Sequence, residues 1–259
     1  MNAALALNVE GWLHGFMFVM LRVGGAFIIA PVFSAVGLPL VVRVGISGAI
    51  AVLVMASVTP AVPADPLSIA GLLAAFQEVT LGLAAGFILQ LAFAAPLIAG
   101  EYIAASVGLG FAQMVDPQGG ASSPALSLFL MVFTTLAFLG LGGHLALIDA
   151  LVESYRALPI AGAWMRADIP AAVIAFSSAM FAAALAIALP LGFSLFAINL
   201  VIGVMTRSAP QLNIFAVGLP ITLIAGMVLM ALVFPVMAEP IEDIVAEGVA
   251  ASARMLGAR

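Results

Sequence analysis

Gly108-Leu109-Gly110-Phe111-Ala112-Gln113-Met114-Val115-Asp116-Pro117-Gln118-Gly119-Gly120-Ala121-Ser122-Ser123-Pro124 interrupts a chain that otherwise reads as a succession of long apolar helices. Four glycines and two prolines in this stretch oppose a continuous helix, because glycine loses the most backbone entropy and proline removes a donor. Irregular backbone is expected here. Its first half is nevertheless oily, with Leu109, Phe111, Met114 and Val115, where a loop bathed in water would carry polar side chains. Irregular backbone at membrane depth survives only where protein packs around it or where it lines a water-filled cavity. Two readings follow: a plug or constriction in a conduit, or a long turn joining two spans and dipping into the interface.

Composition sets the class. Apolar residues make up 65% of the chain and charged residues 7%, with a mean hydropathy of +1.31. Soluble domains run at roughly 45–50% apolar and 25% charged, so an integral membrane-type protein is expected. The net charge of −5 comes from twelve acids and seven arginines, with no lysine and no basic cluster, which argues against nucleic-acid binding. Without cysteine there is neither a disulfide nor a thiolate metal site. The first residues carry no Lys or Arg and no small-residue cleavage site, so the first segment is expected to be retained.

A first span is expected from about Gly11 to Phe33, with Arg22 at its middle. An arginine at the centre of a spanning helix costs about 2.5–3.5 kcal/mol, so Arg22 should face protein or water and meet an acid, in this chain or across a subunit boundary. A structural ion pair and a transport role both satisfy that demand. A second run, Val44 to Val58, ends in the proline-rich connector Thr59 to Pro66. From Leu67 to Val107 the apolar character hardly stops, about twice the ~20 residues one span needs, and Pro96 is expected to bend or split it. Gly82 and Gly86, with Ala74, Ala75, Ala84 and Ala85, form a face on which another helix can come close. Glu78 and Glu101 are the acids of this run: Glu78 reads as a structural partner for an arginine, and Glu101 as a buried charge that could serve as a hinge or proton sensor.

Beyond Pro124 a span runs from Ala125 to about Leu147, broken at Gly142-Gly143-His144. The polar residues from Asp149 to Asp168 make what reads as the most water-facing internal segment. Pro170 should open a helix that continues to Met205 past Pro190 and Gly192, and Arg207 to Gln211 reads as a turn. The last apolar segment is Leu212 to Ala238, followed by a short amphipathic acidic tail, Glu239 to Arg259. Breaks at Pro96 and Pro190 put a simple six-span arrangement in question.

Catalytic chemistry finds little support. Two histidines, His14 and His144, with no cysteine and no His-x-x-x-His pair do not make a metal site, and a chain without lysine has no phosphate-loop lysine. Gly45-Ile46-Ser47-Gly48 has the form of an intramembrane-protease serine motif, a pattern that arises readily by chance in a helix this rich in glycine and alanine. A non-enzymatic protein without cofactor or metal is expected.

Several stretches, in order, resemble the FliR family of the flagellar type III export gate: Leu21-Arg22-Val23-Gly24 with Ala30-Pro31-Val32-Phe33; Gln77-Glu78 with Leu81-Gly82; Ala99-Gly100-Glu101; Gly108 to Pro117; Gly143-His144; Leu158-Pro159; and Ala209 to Pro220. Together they cover nearly the whole chain. The resemblance implies an all-α subunit of long, kinked hydrophobic helices and helical hairpins, with a central non-helical plug loop over residues 108–124. Its plug residues would be Gly108, Gly110, Phe111, Met114, Val115, Asp116, Pro117, Gly119 and Gly120. It implies assembly with FliP and FliQ, contact with FlhB and FlhA, and passage of unfolded rod, hook and filament proteins across the bacterial inner membrane. A FliP-like part would occupy residues 1–170 and a FliQ-like helical hairpin residues 171–238. In the assembled gate such helices wind into a cone lying largely above the membrane plane, covered by sister subunits more than by lipid. Gly142 stands where family members often carry Asp or Asn before Gly-His. Injectisome relatives share the pattern, and a stand-alone small-molecule or ion transporter is the competing class.

Overall fold

The computed structural model describes residues 2–58, 61–63, 65–108, 125–160, 168–208 and 218–258, with the side chains of residues 2–8 and 168 excepted. Among these residues the chain is all-α, without a strand: α1 (Asn2–Ile29), α2 (Leu40–Ser57), α3 (Ile69–Val107), α4 (Ala125–Gly140), α5 (Gly143–Ala157), α6 (Asp168–Ser208) and α7 (Leu219–Met255). Five of them are long and apolar enough to cross a membrane, and α4 with α5 would add a sixth if taken as one broken span.

Local chemistry places most helix ends. Ser68 opens α3 by accepting the Gly71 N–H at 3.1 Å, while Asp65 takes the Leu67 N–H at 2.9 Å, which satisfies donors that have no partner inside the helix. Pro39 precedes α2, and the Arg43 guanidinium folds back to donate to the Ser34 and Ala35 carbonyls at 3.1 and 2.6 Å, closing the connector from α1. Val32 adopts a φ of +71°, an uncommon conformation for a β-branched residue; beside it the Phe33 ring stacks on Phe27 at 4.1 Å. Gly142 takes the left-handed φ of +70° that separates α4 from α5, a geometry glycine adopts without a Cβ penalty.

Three expectations change. Of the two outcomes expected at Pro96, a bend or a split, the split does not occur: α3 is one helix of 39 residues with the proline inside it. The segment after Asp149 is not simply water-facing. α5 buries Leu147, Ala150, Leu151, Ser154 and Tyr155 at helical spacing and leaves Asp149 and Arg156 on the outer face. Residues 239–259 do not begin a separate piece, because α7 runs unbroken through Pro235 and Pro240 to Met255, burying Ile241, Ile244 and Val245.

The chain sorts into two compact units. The first comprises Met1–Ala92, Phe138–Ser177 and Ala246–Arg259; the second comprises Phe93–Ala137 and Ser178–Val245. In α3 the division falls just after Ala92, the residue whose carbonyl loses its helical donor to Pro96. The first unit's core includes Phe18, Val23, Phe27, Ile88 and Leu151 together with Arg22, and the second unit's includes Ile103 and Val107 of α3 with Leu130, Ile187, Leu191 and Leu195.

Candidate functional site

Charge is scarce here, and among the described residues the buried charges lie in the first unit. Arg22, on α1, is wholly buried, as is Glu78 on α3. The guanidinium grips the carboxylate in two places, Nε to Oε2 and Nη2 to Oε1, both at 2.8 Å. Such a fork matches carboxylate geometry and is stronger than a single contact. Nη1 donates to Ser154 Oγ and Nη2 to the Leu158 carbonyl, each at 2.8 Å, so four of the five donors on the side chain are used. Leu158 follows the last residue of α5, where helical carbonyls lack partners and the helix dipole favours a cation; Pro159 beyond it cannot continue the helix. The Tyr155 ring lies under the guanidinium, 4.1 Å from its carbon, and the Tyr155 hydroxyl donates to the Val19 carbonyl at 3.0 Å. Ser154 in turn donates to the Leu151 carbonyl at 2.6 Å.

The cluster is assembled by close approach of α1 and α3. Arg22 and Ala26 on α1, with Ala30 just past its end, recur at i+4, and Glu78, Gly82 and Gly86 do the same on α3, so each set lies on one face. A Cβ at Gly82 would run into the Arg22 carbonyl oxygen, and one at Gly86 would come within 2.5 Å of the Ala26 carbonyl oxygen. The order of these contacts makes the two helices parallel. On a neighbouring face of α3, Ser252 of α7 donates to the Ala85 carbonyl at 2.9 Å, and a Cβ at Gly248 would lie 2.7 Å from that of Ala92. The carboxylate and the guanidinium balance in charge, and their donors and acceptors point at one another. This arrangement holds α1, α3 and α5 together.

The other candidates fall elsewhere. Glu101 is exposed on α3 and makes no ion pair among the described residues, a correction to its expected burial. The physical reason is register: Gly100, next to it, turns toward Ser127 of α4, and the following side chain is carried off the contact face. Gly108 ends α3 with a φ of +89°. Gly110, Phe111, Met114, Val115, Asp116, Pro117, Gly119 and Gly120 lie outside the described residues. Ser154, Tyr155 and the Leu158 carbonyl were missed by sequence reasoning, although the spacing of Leu147, Leu151, Ser154 and Tyr155 marks an inward face.

Apolar side chains also line the outside. Along α6, Ile174, Phe181, Leu185, Leu189, Phe193, Phe196, Leu200 and Val204 are all more than half exposed, a stripe that repeats every three, four or seven residues over nearly the whole helix. On α7, Ile224, Val228, Leu232 and Val236, four residues apart and each more than half exposed, form a similar stripe.

Comparison with known proteins agrees with the family resemblance of the sequence. The sequence model of the family described as "Bacterial export proteins, family 1" matches residues 13–248. The flagellar biosynthetic protein FliR of Escherichia coli K12 is 36% identical over 239 residues, covering 91% of this chain and 90% of that protein. FliR of Pectobacterium carotovorum is 34% identical over 93% of this chain and 92% of its own, and FliR of Bacillus subtilis 168 is 31% identical over 83% and 84%. With a match that takes in Arg22, Glu78, Gly82 and the helices around them, the chain belongs to the FliR family of bacterial export proteins.

Proposed function

We propose that this chain is a structural, non-enzymatic subunit of the flagellar type III protein export channel, a membrane-embedded part of the flagellar basal body in the inner membrane. It would pass unfolded rod, hook and filament proteins outward, in company with FliP-like and FliQ-like subunits, FlhB and FlhA. One observation supports assembly above the others. Helices α3, α6 and α7 have 39, 41 and 37 residues, or about 59, 62 and 56 Å of path at ~1.5 Å per residue. A bilayer core is about 30 Å thick, yet the apolar stripe of α6 runs from Ile174 to Val204. That stripe is about 45 Å long at ~1.5 Å per residue, so on a helix standing along the membrane normal lipid covers about two-thirds of it, and other protein chains are needed for the rest.

Purification tests this reading. Expressed alone and extracted in detergent, the chain is expected to aggregate or be degraded; expressed with its FliP-like and FliQ-like companions it should elute as one stable complex. A monodisperse, stable chain purified on its own would overturn it in favour of a stand-alone transporter.

Within this reading residues 1–170 stand as the FliP-like part, 171–238 as the FliQ-like hairpin, and Gly108 to Pro124 as the barrier, with Phe111, Met114 and Val115 filling the pore. What supports the barrier is the pairing of oily side chains with helix-breaking glycines and prolines in one stretch. Deleting Gly110 to Gly120 is expected to make cells leak ions when the complete gate is expressed, and unchanged conductance would count against the barrier.

A further inference from the structure

The last two turns of α3 are gripped by three other helices, all within the second unit. Gly100 meets α4 so closely that a Cβ there would lie 2.6 Å from Ser127 Cα. Tyr102 lies over Gly192 of α6, where a Cβ would come 2.9 Å from its ring. Asn199, two turns further along α6, donates from Nδ2 to the Ser106 carbonyl at 3.3 Å. Thr222 of α7 donates to the Val107 carbonyl at 3.3 Å, and one turn on, Gly226 receives the Val107 side chain. The Ser106 and Val107 carbonyls belong to a helix end, so no intrahelical donor satisfies them; Asn199 and Thr222 do so from outside.

The Thr222 hydroxyl has one proton and three acceptors in reach: Val107 O at 3.3 Å, Gly218 O at 3.1 Å and Leu219 O at 2.9 Å. If α3 pulls away, that proton is retained by a carbonyl of its own helix, and the residue is buried with its hydroxyl still satisfied. Release therefore strands no buried donor, which is the usual large cost of breaking a buried hydrogen bond. Asn199 is exposed and its bond is long. The glycine contacts supply shape and the two polar side chains supply a weak, reversible hold.

We propose that Thr222 and Asn199 are positioning residues forming a releasable latch on the C-terminal end of α3, which sets how readily the barrier that begins at Gly108 gives way. This rests on the reading of Gly108 to Pro124 as the barrier. The test compares Thr222→Val, which keeps the shape and removes the hydroxyl, with Thr222→Ser, which keeps the hydroxyl, in the gate expressed with its partner subunits. Thr222→Val is expected to raise the resting ion leak about 2- to 10-fold, the population change that follows from losing one neutral hydrogen bond, at unchanged yield of the complex. Thr222→Ser should stay at the wild-type level. Hydrogen exchange of the peptide covering residues 100–108 in the purified complex is read alongside, and should be faster in Thr222→Val than in Thr222→Ser.

If the Gly110 to Gly120 deletion leaks while Thr222→Val matches wild type, the latch is wrong and the barrier stands. If the deletion is silent, the barrier reading fails; the exchange comparison then decides whether Thr222 holds α3, with equal rates overturning the latch. Should Thr222→Val fail to assemble, Asn199→Ala, on an exposed residue, is put through the same two measurements: faster leak and exchange support the latch, and wild-type values overturn it.

Discussion

Replacing Arg22 with alanine should cost the folded chain about 3–5 kcal/mol, the range for removing one partner of a buried ion pair. The substitution leaves the Glu78 carboxylate wholly buried without a cation, and it removes the donors held by Ser154 Oγ and the Leu158 carbonyl. Against a total stability of about 5–15 kcal/mol, a loss of that size is a large fraction of what keeps a domain folded. Most Arg22→Ala chain should be cleared from cells before it assembles, and motility should fall with it. The informative partner is the double replacement Arg22→Met with Glu78→Met, which removes both charges and refills part of the space. It should recover much of the loss, because a well-packed apolar pair often matches a buried ion pair in stability. Steady-state amounts and thermal melting of the purified complex across wild type, Arg22→Met, Glu78→Met and the double replacement form a double-mutant cycle. An Arg22→Ala chain that accumulates, assembles and exports normally would show that the cluster is not what joins α1, α3 and α5.

Gly82→Ala should be nearly as severe. The added methyl has nowhere to go, because the atom it meets is the backbone carbonyl of Arg22 in a packed helix, with the Ala26 nitrogen at 2.8 Å. Overpacking of this kind costs about 1–3 kcal/mol when side chains can yield, and backbone yields less. Moving α1 off α3 also pulls Arg22 away from Glu78, one turn before Gly82 on the same face. Gly45 in α2 is the contrast: nothing lies within 4 Å of where its Cβ would be, and it has an ordinary helical backbone. Gly45→Ala should leave the chain unchanged or stabilise it by about 0.5–1 kcal/mol through helix propensity. Melting temperatures of the purified complexes should separate in opposite directions, and equal shifts would mean that the α1 and α3 backbones are not in contact at Gly82.

Much of this molecule was legible in its residues. Apolar fraction, the absence of lysine and the glycine and proline positions mark an all-α membrane-type chain with breaks at Gly108 and Gly142 and a proline-rich connector before α3. These are local properties, since a proline or a left-handed glycine constrains its own torsions wherever the rest of the chain lies. Gly82 and Gly86 were readable as a packing face because their spacing alone puts them on one side of a helix. The order of short motifs was enough to suggest the family.

Other features depended on three dimensions. Arg22 could be seen to need an acid and Glu78 to suit an arginine, but the two lie 56 residues apart and nothing local joins them. Which acid is buried depends on how α3 is rotated against α1; Glu78 shares the face of Gly82 and Gly86, and only the contact between the helices shows that this face meets Arg22. The same holds for Ser154 and Tyr155, hidden among charged neighbours until α5 packed one side against α1. Residue type and spacing thus settled which segments are helical and several of their ends, though not that α3 and α7 run on through their prolines. The helix-to-helix register alone decided which polar atoms meet, because each partner is supplied by a distant part of the chain.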